Sequence, residues 1–485
     1  MSAPVLRKII YSVVILSWIA TMSALIDRHY RPFEQKGPAS KTVVLPAESY
    51  GDQWMGVYFK NKKIGHVHRR LERAGTGYTV SETAKMRLIV MESPKEIETE
   101  TSANLAADLS LVSFRAAFRG DADLKISGEV NGKTLRMVLE TSGVRTIRTV
   151  RLNDNPSLSL SLVPQMLRSG IATGRKFSVG IIDPSSFAQE QVPVEITGRE
   201  KITVMGANRE VFRLKGMMKG ADFSIWLTER GEVLKEESTA GFTLIKETKE
   251  EALSHIGIPA DLTEQVAVPF NMKLPCPVRY LRIRISGIDQ RDFELEGGGQ
   301  HINDGVLEIK MEDLAIGRGG GAKEMVDTPQ YLRESTSVQS KDQRIISLSR
   351  DIVKGQRDPT KAARLIYDWV YRNIEKAPSV TFPDAVAVLK TRKGDCNEHT
   401  TLYTALSRAA GIPTRMAAGL VYREGKFYYH AWPEIFSGKW VAIDPTLGQF
   451  PADAAHIRLI AGDIDSQIRL IAIIGKIRIE GLQYR

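Results

Sequence analysis

Residues 393–415 read KGDCNEHTTLYTALSRAAGIPTR, and the spacing inside this stretch decides the fold of the C-terminal part of the chain. Gly394 and Asp395 close a loop, after which Leu402, Ala405, Leu406 and Ala409 recur at helical spacing. Gly411 suits the position just past a helix, and Pro413 follows two residues later. These bounds place Cys396 in the first turn. Unpaired N–H groups at a helix start favour negative charge, which predicts a thiol acid below its free pKa of about 8.5. The same groups can stabilise the oxyanion formed when a carbonyl is attacked.

Residues 425–449, GKFYYHAWPEIFSGKWVAIDPTLGQ, read as an antiparallel hairpin with strands 426–435 and 439–443 turning around Ser437-Gly438. Tyr428, His430, Trp432 and Glu434 alternate onto one face. His430 and Asp444 are 14 positions apart, so an odd loop such as 437–439 sets both side chains on the same face. A two-residue loop would separate them. With the odd loop, Asp444 accepts a ring N–H of His430 and turns the other nitrogen toward Cys396. Taken singly, each residue has a plainer reading: an inert core cysteine, a packing histidine, a turn-forming Asp-Pro. Together they describe a thiol nucleophile with its base.

The blocks GDCNEHTTLYTALSRAAGIPTR, YHAW and AIDPT resemble, in the same order, three motif blocks of the transglutaminase-like superfamily, across about residues 345–465. The resemblance implies a papain-like α+β fold, with Cys396 as nucleophile, His430 as general base and then acid, and Asp444 orienting that histidine. It implies an acyl-enzyme on an amide or ester carbonyl, resolved by hydrolysis or by transfer to an amine. No cofactor or metal is expected, and no dedicated acidic loop for calcium is seen. The downstream ADAAHIRLIAGD (452–463) also resembles a segment of bacterial members, and His456 within it is assigned a structural role. Such enzymes draw a second oxyanion donor from an upstream side chain; Trp369 and the Thr381 region are the candidates, with no spacing to select one.

Other chemistry-bearing residues have bland readings. His66 and His68 point to one side of a presumed strand, but no third ligand accompanies them. His399, one helical turn after Cys396, reads as solvent-exposed or hydrogen-bonded within the domain. Cys276, between two prolines, has neither a helix start nor a histidine beside it and reads as a structural thiol.

Working outward, the chain of 485 residues exceeds what one core holds, since single cores stop growing at roughly 250–300 residues. A hydrophobic share of 42% and a charged share of 26% exclude wholesale disorder. The net charge is +10, yet Lys and Arg are scattered among 57 acidic residues, which describes a solvated basic surface and excludes nucleic acid as the expected partner. Two cysteines provide no disulfide framework.

The uncharged stretch Ile9–Ile26 follows Arg7 and Lys8 and precedes Asp27 and Arg28; at 18 residues it is just long enough to span a bilayer. It lacks a small-x-small cleavage site, so it reads as an uncleaved anchor with a cytoplasmic N-terminus. The expected organisation is a multidomain chain. Residues 1–8 form a cytoplasmic tail, 9–26 a transmembrane helix, 27–48 a linker and 49–250 an all-β domain, with hairpin signals at Asn61-Lys62 and Asn131-Gly132. Residues 251–340 form a small β-module and linker around VRYLRIRISGI, and 341–485 a transglutaminase-like domain with a C-terminal strand extension. In that last unit Asp358 caps a helix starting at Pro359, with Ala362, Leu365, Ile366, Trp369 and Val370 as its apolar stripe.

The function expected is that of a single-pass protein of the cytoplasmic (inner) membrane, its bulk periplasmic, acting on a protein or peptide substrate such as a cell-envelope component. The rival is a non-catalytic envelope scaffold with an inactive transglutaminase-like domain.

Overall fold

The computed structural model of the chain describes Leu45 and residues 51–485, apart from 91–92, 121–122, 142–143, 154–155, 184–187, 219, 255–260, 313–327 and 380–382. The expected anchor at residues 9–26 and the oxyanion candidate Thr381 lie outside the described residues. Among the described residues, no helix is long and apolar enough to cross a membrane.

Strands between Gly51 and Glu247 form one 14-stranded antiparallel sheet. Each strand from Gly51–Phe59 to Val144–Arg151 pairs with the next, and so does each from Lys176–Asp183 to Phe242–Glu247. The two runs join where Trp54 faces Glu247. The first hairpin turns at Lys60 and Asn61, one residue earlier than expected; both have positive φ, 46° and 66°. That backbone matches the twist of the flanking strands, which is why tight hairpins select it. Period-two alternation buries one face: Met55, Val57 and Val67 of the first run meet Val194, Leu214 and Leu227 of the second, with Met166 of the helix Leu162–Ser169 between them. The sheet therefore curls around a shared apolar interior. Its outer face keeps its charges in water, as in the exposed pair Arg119–Glu100.

The C-terminal part has a mixed-length sheet ordered Val268–Pro269, Lys426–Phe436, Thr414–Arg423, His456–Ala461, with Trp440–Ala442 also pairing to Lys426–Phe436. Helices Gln343–Val353, Pro359–Asn373, Ala385–Thr391 and Cys396–Ala409 pack together beside it, around Ile345, Ala363, Ile366, Val370, Leu402 and Leu406. Asp358 caps the second of these helices through the N–H groups of Thr360 and Lys361, with Pro359 in its first turn. The buried stripe is rotated from the expected one. Ala363 and Tyr367 are inside while Leu365 is 40% exposed, because the flanking helices cover the face one position round.

The expected module 251–340 is not separate from the C-terminal part. Strands Gln300–Asn303, Val306–Lys310, Tyr280–Ser286 and Arg478–Tyr484 make one 4-stranded sheet, so the last strand described returns to the first part of the module. Leu281, Ile283 and Leu307 share a core with Leu420, Phe427, Ile457 and Ile479. A buried ion cluster seals the joint: the Arg458 guanidinium donates to Glu434 at 3.2 Å and to the carbonyls of Glu294, Glu296 and Gly297, and Arg415 pairs with the same Glu434 at 2.6 Å. A Cβ at Gly298 would stand 2.6 Å from the Arg458 guanidinium, so only glycine lets the backbone close over it.

Candidate active site

The helix Cys396–Ala409 begins where Asp395 stops the chain from being helical and takes over as cap. The Asp395 carboxylate accepts the N–H of Asn397 at 2.8 Å, and the Glu398 carboxylate accepts the N–H of Asp395 at 2.8 Å. This reciprocal arrangement satisfies the donors a helix start leaves open. At the other end Gly411 takes φ +78°, the left-handed conformation that ends a helix cheaply only in glycine. The helix is pinned by Leu402, Tyr403, Ala405 and Leu406, all fully buried, and it packs on the strands Thr414–Arg423 and Lys426–Phe436. Cys396 is left half-buried at its tip, and the backbone N–H of Ala431, the residue after His430, is directed at its sulfur.

The expected acidic thiol is corrected here. Burial pushes the Cys396 thiol well above its ordinary range, Asp395, Glu398 and Asp444 add to the rise, and only the Ala431 N–H opposes them. The physical reason lies in the cap. Two carboxyl side chains already occupy the helix start, so its positive end is spent before it reaches the sulfur. A thiol in that setting needs a base to take its proton.

His430 has the partner such a base needs. The loop between Phe436 and Trp440 is Ser437–Lys439, of odd length, and these two residues pair directly. His430 and Asp444 therefore share a face, and the His430 Nε2–H donates to Asp444 Oδ2 at 2.7 Å. With Nε2 so engaged, Nδ1 is the nitrogen left free to take a proton. Asp444 is fully buried and its other oxygen accepts the N–H groups of Thr446 and Leu447, each at 2.8 Å. Burial alone would raise its pKa, but His430 and His456 outweigh that and hold the carboxyl far below the usual carboxylate range.

His456 is the residue that sequence reasoning left out of the site. It is buried, its Nε2 lies 3.0 Å from the same Asp444 Oδ2, and its Nδ1 lies 3.2 Å from Asp453 Oδ1. Burial opposes its charge, yet the two carboxylates prevail and push its pKa up to about 9. The Asp-x-x-His spacing of 453–456 was the available signal.

His430, Asp444 and His456 are also the grouping, among the described residues, whose ligand atoms lie close enough for a metal, all within 4.8 Å. Their separations describe hydrogen bonds instead. Ligands at about 2.0–2.1 Å from a tetrahedral zinc stand roughly 3.3 Å apart, whereas the Asp444 oxygen is 2.7 Å and 3.0 Å from the two ring nitrogens. Zinc does not fit without prising the pairs open.

The remaining sequence candidates fall outside this relay. His399 is fully buried, not solvent-exposed; its Nδ1–H donates to the Asp395 carbonyl at 2.7 Å, and burial pushes its pKa down. Trp369 lies under the Arg392 guanidinium, 4.5 Å from its ring centroid. Cys276 is exposed, and burial of part of its surroundings pushes its thiol up. His68 stacks on Trp54 at 4.2 Å and pairs with Asp52, while His66 faces Trp54 at 6.0 Å.

Residues 346–445 match the transglutaminase-like superfamily core, so the C-terminal part of the chain carries a transglutaminase-like core domain. An uncharacterized protein of Haemophilus influenzae is 32% identical over 100 residues, which is 20% of this chain and 27% of that relative's length. Among solved structures, a protein from Cytophaga hutchinsonii provisionally described as a cysteine protease is 17% identical, covering 43% of this chain and 86% of its own, with a TM-score of 0.28. A β-barrel-like protein of a domain of unknown function from Brucella abortus is 13% identical, covering 41% of this chain and 96% of its own, with a TM-score of 0.30.

Proposed function

We propose that this chain is a thiol enzyme held at the cytoplasmic membrane by residues 9–26, with its folded bulk on the periplasmic side. Cys396 attacks an amide or ester carbonyl, His430 takes the thiol proton and returns it to the leaving group, and Asp444 holds His430 in the required tautomer. The acyl-enzyme so formed is released by water in preference to an amine, and the substrate is a protein or peptide of the cell envelope. One observation carries this reading: Ala431, the residue after His430, turns its backbone N–H to the Cys396 sulfur, and the His430 Nε2 is bonded to Asp444 at 2.7 Å. That is the triad logic of an activated nucleophile.

The test compares iodoacetamide alkylation of Cys396 and Cys276 near pH 7 in the 485-residue chain and in His430→Ala. Cys276 is the better exposed thiol, so an inert Cys396 must react more slowly. The enzyme reading expects the reverse, with the advantage lost in His430→Ala and Cys276 unchanged. A Cys396 slower than Cys276 in both proteins moves the scaffold reading ahead. Mass spectrometry after exposure to a p-nitrophenyl ester then reports whether an acyl group resides on Cys396.

A further inference from the structure

A neutral imidazole carries one N–H and one lone pair. His456 has both ring nitrogens against carboxylate oxygens, Asp444 at 3.0 Å and Asp453 at 3.2 Å, and a lone pair facing either carboxylate would be repelled. Both contacts are favourable only for the imidazolium. Asp453 is itself fixed, accepting the N–H groups of Val278 at 3.2 Å and Ala455 at 3.1 Å. The strand His456–Ala461 is held against its neighbour closely enough that a Cβ on Gly419 would lie 1.9 Å from the Ile457 carbonyl.

We infer that His456 is a positioning residue for the proposed reaction, a buried cation that clamps Asp444 in place and keeps it ionised as the partner of His430. This rests on the thiol-enzyme reading and deepens it. Two carboxylates and one imidazolium leave the cluster with one surplus negative charge, which faces His430 through Asp444 and stabilises the imidazolium that forms when His430 takes the Cys396 proton. The proton moves within the site and its net charge is unchanged, the thiolate carrying the negative charge to the attacked carbonyl. Without His456, Asp444 would keep only His430 and Asp453 would have no imidazolium beside it, and burial would then favour protonation of one of the two carboxylates.

The other charges around His456 lie mainly in one ion cluster. From the strand Lys426–Phe436 come His430 and Glu434, from its own strand Arg458, and Glu434 is shared between Arg458 at 3.2 Å and Arg415 at 2.6 Å. Lys310 and Glu312 line the same cavity of about 20 Å³, and Glu312 is paired with Lys439. The Trp432 ring adds no charge, standing edge-on at 5.1 Å. Asp444 and Asp453 are the charged groups in direct contact with the ring nitrogens, and they favour its protonated form.

The experiment uses the 485-residue chain, His456→Gln and Asp453→Asn. Two readouts are taken: the ratio of Cys396 to Cys276 alkylation rates across pH 6–10, and the nitrogen-15 shifts of labelled histidine. In the parent protein His456 should show two protonated nitrogens at neutral pH, and the rate ratio should fall as pH passes about 9. Asp453→Asn keeps a hydrogen-bonding side chain but removes one carboxylate, and should bring the fall to lower pH by about one unit or more. His456→Gln should lower the ratio roughly ten- to a hundredfold. A His456 ring with one bare nitrogen at neutral pH overturns the inference. So does a pH profile that Asp453→Asn leaves in place while only the melting temperature drops. Should Cys396 show no His430-dependent advantage in the parent protein, the enzyme reading fails first; the nitrogen shifts then still report whether the buried cation exists.

Discussion

The two halves of this molecule bury charge to different degrees. The curled sheet of residues 51–247 leaves many ionic pairs, such as Arg119–Glu100 and Arg87–Glu96, standing in water and encloses a few, notably Arg69 between Glu82 and Glu236. The C-terminal part buries Glu398, Arg408, Glu434, Asp444, Asp453, His456 and Arg458. Exposed pairs contribute about 0–1 kcal/mol and can be lost without consequence. Buried ones cost desolvation on folding, and each needs its partners in place. The C-terminal part accepts more of these costs than the sheet does, and it does so beside the candidate site, where Asp444, Asp453 and His456 meet.

That contrast can be broken experimentally, beginning with its largest effect. Asp444→Asn should leave the chain folded but present His430 with the wrong amide group, lowering His430-dependent acylation of Cys396 on the order of 10²–10⁴-fold. A rate within twofold of the parent would remove Asp444 from the site. Next, Arg458→Met leaves Glu434 buried with only Arg415, and should destabilise the C-terminal part by roughly 3–5 kcal/mol in urea unfolding. Arg119→Ala on the curled sheet should stay within about 0.5 kcal/mol. Equal effects from the two substitutions would erase the distinction between the halves.

Acid and alkali should separate them too. His456 titrates near pH 6.5 in an unfolded chain and is pushed up to about 9 when folded. Its contribution is therefore complete below about pH 6.5 and is lost as pH rises through 9, a fall of roughly 3 kcal/mol. Asp444, shifted the other way, supplies stability above about pH 4 that is lost as pH falls. Thermal melts of the parent between pH 6 and 10 should show the alkaline decline, and His456→Gln should flatten it. The smallest effect is expected at Leu365, exposed on its helix, where Leu365→Ser should change stability by no more than about 0.5 kcal/mol.

Much of the candidate site's geometry was readable because its signals are local. Helical spacing after Cys396 and strand alternation through His430 need only a few neighbouring residues, and the parity of the loop at Ser437–Lys439 followed from counting. His456 was not readable in the same way. It reaches Asp444 only because its strand pairs with Thr414–Arg423, placing Val421 opposite His456, and nothing in the local sequence marks that long-range pairing. The thiol's acidity was misjudged for a related reason: the helix start was treated as bare, although Asp395 and Glu398 occupy it. The meander was legible from alternation, while its curl depends on strands far apart in sequence sharing one interior. The boundary near residue 340 failed because a composition change marks where helices begin, not where a core ends.

The strand Tyr280–Ser286 pairs with Val306–Lys310 on one side and with Arg478–Tyr484 on the other. Roughly 190 residues must be made between Ser286 and its partner Arg478, which at about 5–20 residues per second leaves that edge waiting on the order of 10–40 seconds. During this interval the edge is an open template for mispairing. Asp453, which holds His456, takes its own anchor from Val278, two residues before this strand. The core that joins Ile283 to Ile479 is therefore among the last parts of the chain that a growing polypeptide can complete.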